Sequence, residues 1–409
     1  MLWFKLGWRN IWRNRSRTMI QLLAIAGSLA FAIWMQNIAD GSYEKMISDG
    51  VRMGSGHLSM HHPDYLEERR TELFFDLRPA ISLIEGKTDV LAALPRLHVP
   101  ALARSSRENS AAMVIGVDFA IETTINPLLH KNKIIQGQLP ETPDQAYIGS
   151  KLAETLKIGQ GKKLVIMFQD FNGTITSKLF RIRGIFKSGV NQIDNSTVFV
   201  DRKKFAATLG NENAAHELAL ILPNRQCMPP LYSLLKQTRP PGSVFEVFRW
   251  EETSRQLADT ITMDHTQLKF MLFLLYVMVT VGTINLLLMS VLERKREFGL
   301  LRAIGMEKSR IRKLIACEAL ILGITGSLAG FMAACIASFY SWYHGLDFSD
   351  MFGSQEVAGM LFEPKITSSW DWYSMFGLSI AMIVVVVLAS IYPANKALRV
   401  NPAEAMRTY

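Results

Sequence analysis

The chain has 409 residues, 49% hydrophobic and 20% charged, with a net charge of +9 and three cysteines. That apolar content excludes a disordered chain, since it can offset the entropy of ordering, and three cysteines exclude a disulfide-stapled scaffold. The basic balance leaves open nucleic acid, an anionic membrane surface or the positive-inside asymmetry of a membrane protein, and the positions of the charges decide between them.

The first 17 residues carry Lys5, Arg9, Arg13, Arg15 and Arg17 and no acid. A charge-free run of 22 residues follows at 18–39, and three more occupy 270–292, 319–346 and 372–395. A spanning helix needs about 20 apolar residues at about 1.5 Å rise each. Buried helices of water-soluble domains seldom stay apolar on every side beyond about 14 residues. Four transmembrane helices are therefore predicted. The first run contains a small-residue triplet, Ala30-Phe31-Ala32, but it exceeds the roughly 7–15 residues of a signal-peptide core, so an uncleaved anchor is expected.

Between the first two spans, residues 41–269 are predicted to form a large α+β domain. An amphipathic segment, Gly41 to Arg52, leads off the membrane. Strand-like alternation marks 56–61, Ala111–Val117, Lys163–Phe168, Thr174–Ile185 and Thr197–Val200. Ser150–Lys157 has helical spacing and stops at Gly159 and Gly161. Asp170-Phe171-Asn172-Gly173 predicts a tight hairpin, with Asn-Gly supplying the positive φ of the turn. Pro229-Pro230 and Pro240-Pro241 flank a short helix, Leu231–Gln237, and Trp250 to His265 reads as a polar helix running straight into the second span.

Basic residues near the helix ends set orientation. The loop 293–313 holds eight Lys or Arg against Glu293, Glu297 and Glu307, and the tail holds Lys396, Arg399 and Arg407 against Glu404. With the N-terminal segment, these carry +12, whereas residues 341–371 carry five acids and only Lys365. The expected organisation is a cytoplasmic N-terminus and first span over 1–40, an extracytoplasmic domain over 41–269 and a second span over 270–292. A cytoplasmic loop at 293–313, a third span at 314–340, an external loop at 341–371, a fourth span at 372–395 and a cytoplasmic tail at 396–409 complete it. Nucleic-acid binding is excluded as a reading, because the outer domain has no basic patch interleaved with aromatics.

The sequence holds no Gly-x-x-x-x-Gly-Lys-Ser/Thr phosphate loop, no Gly-x-Ser-x-Gly elbow and no His-Glu-x-x-His helix. Any ATP chemistry then belongs to another chain, and this one is expected to be non-catalytic, with no cofactor of its own. His57, His61 and His62 form the one histidine cluster, and surface-strand histidines outweigh a metal site there. Cys317 and Cys335 lie about 27 Å apart along one helix and cannot bridge. Glu318, one turn into the third span with Arg312 and Lys313 within two turns, is expected to sit in an ion pair at the membrane rim. Gly323, Gly326 and Gly330 make one face of that helix small, for close packing against another membrane helix of the same or a second subunit.

The most specific stretch is Val291 to Gly330. Its Glu293-Arg294-x-x-Glu297, its short helix ending Leu301-Arg302-Ala303-Ile304-Gly305 and its basic turn into a glycine-rich helix resemble MacB/FtsX-type ABC-transporter permeases. So do Trp8-Arg9-Asn10-Ile11-Trp12-Arg13-Asn14-Arg15, Tyr392-Pro393-Ala394 and Asn401-Pro402-Ala403-Glu404-Ala405, and the resemblance covers the whole chain. Length and layout look most like lipoprotein-releasing (Lol-type) permeases. The resemblance implies a multi-pass inner-membrane subunit, paired with a second permease as homodimer or heterodimer. A separate ATPase subunit would bind ATP-Mg and drive extraction of lipoproteins or other lipid-anchored substrates from the outer leaflet, with a periplasmic carrier or adaptor as a possible further partner. Efflux of periplasmic small molecules or peptides, or FtsX-like control of a cell-wall hydrolase, are the alternatives. ATPase coupling is expected at Glu293, Arg294, Arg296, Glu297, Leu300, Arg302, Ala303, Ile304, Gly305 and Met306. Leu300 and Ile304 would form an apolar stripe, Arg296 and Arg302 would be charged anchors, and Gly305 would end the helix. Lol-type pairs also carry an extended hairpin that hooks a carrier, and the short Asp170–Gly173 turn departs from it.

Overall fold

The computed structural model describes residues 2–240, 242–347, 355–357, 360–362 and 365–398. Asn401–Ala405 and the tail charges Arg399 and Arg407 lie outside the described residues. The chain divides into two units, one of residues 1–44, 262–347 and 365–409, the other of 45–261 and 348–364.

The first unit is helical. Its helices are α1 (Leu2–Ile11), most of α2 (Arg15–Met53), most of α3 (Arg255–Glu293), α4 (Lys295–Ala303), α5 (Lys308–His344), α6 (Trp372–Ala389) and α7 (Ile391–Leu398), and Leu346–Asp347 pairs with Lys365–Ile366 as a short two-stranded ladder. Among the described residues, four helical stretches are long and apolar enough to cross a membrane: α2, α3, α5 and the run Trp372–Leu398. At 39 residues, α2 and α3 each reach about 58 Å, roughly twice the hydrocarbon thickness, so each has a polar portion beyond it. The basic N-terminus is not a simple extension of the first span. It forms α1, separated from α2 by residues 12–14, and Thr18 Oγ1 donates to the Ile11 carbonyl across that break.

The centre of this unit is α5. Its small residues recur every four positions as Gly326, Gly330, Ala334 and Ser338, and α2 answers at the same interval with Ile25, Leu29, Ile33 and Asn37. A Cβ on Gly326 would stand 2.8 Å from Ile25 Cγ2, and one on Gly330 would stand 2.7 Å from the Ala26 carbonyl oxygen. Asn37 Nδ2 donates to Ser338 Oγ at 3.0 Å, and Trp34 Nε1 donates to Ser341 Oγ at 2.9 Å. The two helices thus meet along a small-residue seam that ends in hydrogen bonds, as close packing inside a membrane requires. Gly323 faces elsewhere, its nearest neighbours being Ile383 and Val386 of α6.

The second unit is α+β, as expected. Its strands are β1 (Leu58–His61), β2 (Phe75–Asp76), β3 (Ala92–Arg104), β4 (Asn109–Val117), β5 (Ile134–Gly137), β6 (Gln145–Gly149), β7 (Lys163–Gln169), β8 (Ile175–Phe186), β9 (Thr197–Asp201), β10 (Ala214–Ala215), β11 (Glu217–Ile221) and β12 (Glu246–Arg249). The pairings β3-β4-β9-β6-β8-β7 return to β3 and close a six-strand ring. Inward residues of these strands, among them Val99, Val114, Ile148, Ile166, Phe180 and Val198, form its core with Phe205 of the helix Arg202–Leu209. The other half of β3 pairs with β11, and β1 and β12 extend that wing. Pro100 sits between the β11 and β7 pairings, where a missing N–H costs little.

The hairpin forms at the predicted place but as a longer turn. Gln169 pairs with Ile175, and Asp170 Oδ1 accepts from the N–H groups of Asn172 and Thr174. Gly173, at φ +82°, is the residue that needs the left-handed conformation. The helix expected over Trp250–His265 is broken instead. Trp250–Thr253 is a separate turn, nucleated by Glu252, whose carboxylate accepts from the Arg249 N–H at 2.8 Å, and α3 begins only at Arg255.

Candidate coupling site

The loop between α3 and α5 holds α4, a nine-residue helix. Its C-terminus is closed by a Schellman motif, with Gly305 N–H donating to the Arg302 carbonyl and Met306 N–H to the Leu301 carbonyl, both at 3.0 Å. Gly305, at φ +93°, supplies the left-handed residue this closure needs, the role expected for it. Phe298 anchors the inner face in a cluster with Val291, Ile311, Leu314, Ile315, Ala397 and Leu398, and Met306 packs against that cluster.

The ten loop residues singled out in the sequence separate into two groups. Leu300 is 56% exposed and Ile304 76%, and Arg296, Ala303 and Gly305 are exposed beside them. Positions 296, 300, 303 and 304 share one helical face, so an unpartnered apolar patch with a cation at its edge points away from the unit.

Four of the others, Glu293, Arg294, Glu297 and Arg302, are engaged by groups of the same unit, although Glu293 and Glu297 keep side-chain exposures of 44% and 43%. Arg294 is buried; its Nη1 donates to Glu318 at 2.8 and 3.1 Å and its guanidinium lies over the Phe298 ring. Glu297 accepts from Arg294 at 3.0 Å and from Arg13, and Glu293 takes a bidentate pair of bonds from Arg17 at 2.5 and 2.7 Å. Arg302 donates to the Leu398 carbonyl at 3.3 Å, which makes it a link to α7. Glu318 does form an ion pair, but its partner is Arg294, with Asn10 Nδ2 as a second donor at 2.7 Å, and not Arg312 or Lys313 on its own helix. One carboxylate thus ties α1, the α3–α4 junction and α5 together. A cavity of about 200 Å³ beside it is lined by Arg13, Arg17, Gln21 and Glu293 among others.

The histidine cluster of the second unit is structural. His57 Nδ1 accepts from the Leu222 N–H, His61 bonds the His216 carbonyl and Ser59 Oγ, and His62 Nδ1 accepts from the Asp64 N–H. Among the described residues, no group of three or more His, Cys, Asp or Glu is placed to hold a metal ion.

A polar core in the same unit carries no motif. Arg96, fully buried on β3, donates to Glu122 at 2.9 Å and to the Gly54 carbonyl, and lies 3.7 Å from Glu217. Glu217 in turn bonds His98 Nε2 at 2.8 Å. Burial pushes Glu217 up, but the His98 hydrogen bond and the charge of Arg96 outweigh it and hold the carboxyl well below its usual range. The available signal was a lone Arg and a lone Glu inside apolar strands.

Residues 18–226 match the model of the MacB-like periplasmic core domain, and residues 269–402 match the FtsX-like permease C-terminal model. The chain is 21% identical over 399 residues to the lipoprotein-releasing system transmembrane protein LolC of Neisseria meningitidis, covering 95% of this chain and 94% of that one. It is 21% identical to LolC of Xylella fastidiosa, covering 95% and 93%. It is also 23% identical to the macrolide export ATP-binding/permease protein MacB of Marinobacter nauticus, covering 97% of this chain but 59% of that protein.

Proposed function

The chain belongs to the MacB/FtsX-type permeases, and from that premise we propose that it is the non-catalytic membrane subunit of a mechanotransmission complex that extracts lipoproteins or other lipid-anchored substrates from the outer leaflet. A separate ATPase supplies the stroke by gripping the α3–α5 loop. The observation that carries this reading is the exposed Leu300–Ala303–Ile304 patch, held on a helix whose base is fixed by the Glu318 hub. An apolar stripe of that size on a short, braced helix suits insertion into a groove of a partner protein. The loop's positive charge supports a cytoplasmic side for it and for both termini in this reading.

Likeness to LolC-named relatives along nearly the full length favours lipid-anchored cargo. Likeness to a relative named as a macrolide export ATP-binding/permease protein favours efflux as the second reading. The 170–174 turn is short, so recruitment of a periplasmic carrier falls to a partner permease. Reconstitution of the chain with its cognate ATPase and fluorescent lipoprotein in proteoliposomes tests the proposal. ATP-dependent release of lipoprotein is expected; hydrolysis without release, together with drug or peptide sensitivity in a deletion strain, would establish efflux instead.

A further inference from the structure

Four arginines are described in the first 17 residues, and the structure treats them in two ways. Arg13 and Arg17 are spent on Glu297 and Glu293. Arg9 and Arg15 are exposed and meet no carboxylate among the described residues. Trp8 near the end of α1 and Trp12 in the turn just after it stand beside Arg9 with 49% and 37% exposure, their rings 5.9 Å apart edge to face. The opposite side of α1 is fixed to the unit: a Cβ on Gly7 would touch Ile321 at 3.0 Å, and Asn10 donates to Glu318. The helix cannot roll to hide its aromatic face without giving up these contacts.

We propose that the outward side of the α1–α2 corner, formed by Trp8 and Arg9 at the end of α1, Trp12 in the turn and Arg15 at the start of α2, binds the headgroup of an anionic phospholipid in the leaflet it borders. Tryptophan rings settle at the boundary between hydrocarbon and headgroups, where the indole is half apolar and half wet. An unpaired guanidinium at that depth meets phosphate oxygens in fork geometry and gains from the surface potential of anionic lipid. The neighbouring arginines already have carboxylates, so the two left over are the charges that seek an anion from outside the chain. A bound headgroup would lie on the far side of a helix whose inner face holds the same carboxylate as Arg294. This inference rests on the membrane spans and not on the ATPase or the cargo.

The test uses the full chain in nanodiscs containing brominated phosphatidylglycerol or brominated phosphatidylcholine at equal mole fraction. Stronger tryptophan quenching by the phosphatidylglycerol is expected for the wild type. Trp8→Phe with Trp12→Phe should remove that excess. Arg9→Gln with Arg15→Gln should lower the preference for the anionic lipid on the order of tenfold, whereas Arg9→Lys with Arg15→Lys should keep most of it. Equal quenching by the two lipids in the wild type, or an excess that survives in the glutamine pair, overturns the proposal.

Discussion

Arg294 and Glu318 face each other at 2.8 Å across the junction of α3, α4 and α5, each side chain 10% exposed. The pair lies where the coupling loop meets the base of the third span, so its loss is felt by both. Removing one partner strands the other charge in a buried site, a change that costs about 3–5 kcal/mol. Glu318→Ala is therefore expected to lower the melting temperature of the detergent-solubilised protein markedly. Replacing both partners, as Arg294→Met with Glu318→Leu, should recover most of that loss. A single variant that melts with the wild type would show that the pair is hydrated and carries little.

The glycines of α5 are predicted to differ by what faces them. Gly330→Ala drives a Cβ to 2.7 Å from a backbone oxygen of α2, which cannot move without shifting the helix. Gly323→Ala meets Ile383 and Val386 at 3.5 and 3.6 Å, ordinary contact distances. Gly330→Ala should destabilise by about 1–3 kcal/mol, as overpacking does. Gly323→Ala should be neutral or slightly stabilising, because alanine favours helix by up to about 1 kcal/mol. Thermal unfolding of the two variants in one detergent separates them, and equal melting temperatures would count against the seam.

What was legible in the chain follows from the physics of each element. Spans are visible because a charge inside hydrocarbon is expensive, so absence of charge marks them directly. β4, β7, β8 and β9 were visible as strands of suitable composition, with alternation clearest along the half-exposed β7 and β8. β11 is buried at every position and β6 at four of five, so neither alternates. β3 was hidden by Pro95 and Pro100, which ordinarily argue against an inner strand, and it tolerates Pro100 because its partner changes there. At the coupling site, Gly305 announced itself by position and the apolar face by spacing. The fates of Arg294, Glu297 and Glu293 could not be read, because their partners Glu318, Arg13 and Arg17 come from elsewhere in the sequence.

The division of the loop predicts opposite phenotypes for neighbouring residues. Ile304 is 76% exposed, so Ile304→Asp should leave folding intact while weakening capture of the cognate ATPase at least tenfold. Leu300→Asp should act the same way. Phe298→Ala, at 1% exposure, should instead cost about 3–5 kcal/mol of stability. Co-purification of tagged ATPase, read beside the melting curve of each variant, distinguishes them. Full capture by Ile304→Asp would remove the docking face from the reading.

Acid sensitivity is predicted for the outer unit from the ring contacts of His216. Its Nδ1 accepts from the His98 N–H at 3.0 Å and its Nε2 donates to the Thr71 carbonyl at 2.8 Å, which fixes the neutral ring. A second proton on Nδ1 would set two donors against each other. Burial pushes His216 and His61 from 6.5 down to about 4. Because the folded values lie below the unfolded one, the unfolded chain takes up protons first as pH falls. Stability is complete above about pH 6.5 and is lost progressively toward pH 4, by about 3 kcal/mol for each ring. Glu217, held below its usual range, contributes stability that persists above pH 4.5 and fails only below it, so the two effects occupy different windows. In the full chain, exchange of the Leu218–Ile221 amides, corrected for intrinsic rate, should accelerate between pH 6.5 and 4.5. Glutamine at position 216 can accept from His98 and donate to Thr71 without titrating, so His216→Gln should halve the effect. Exchange that is flat over this window in the wild type would mean that the rings are protonated without loss of the fold.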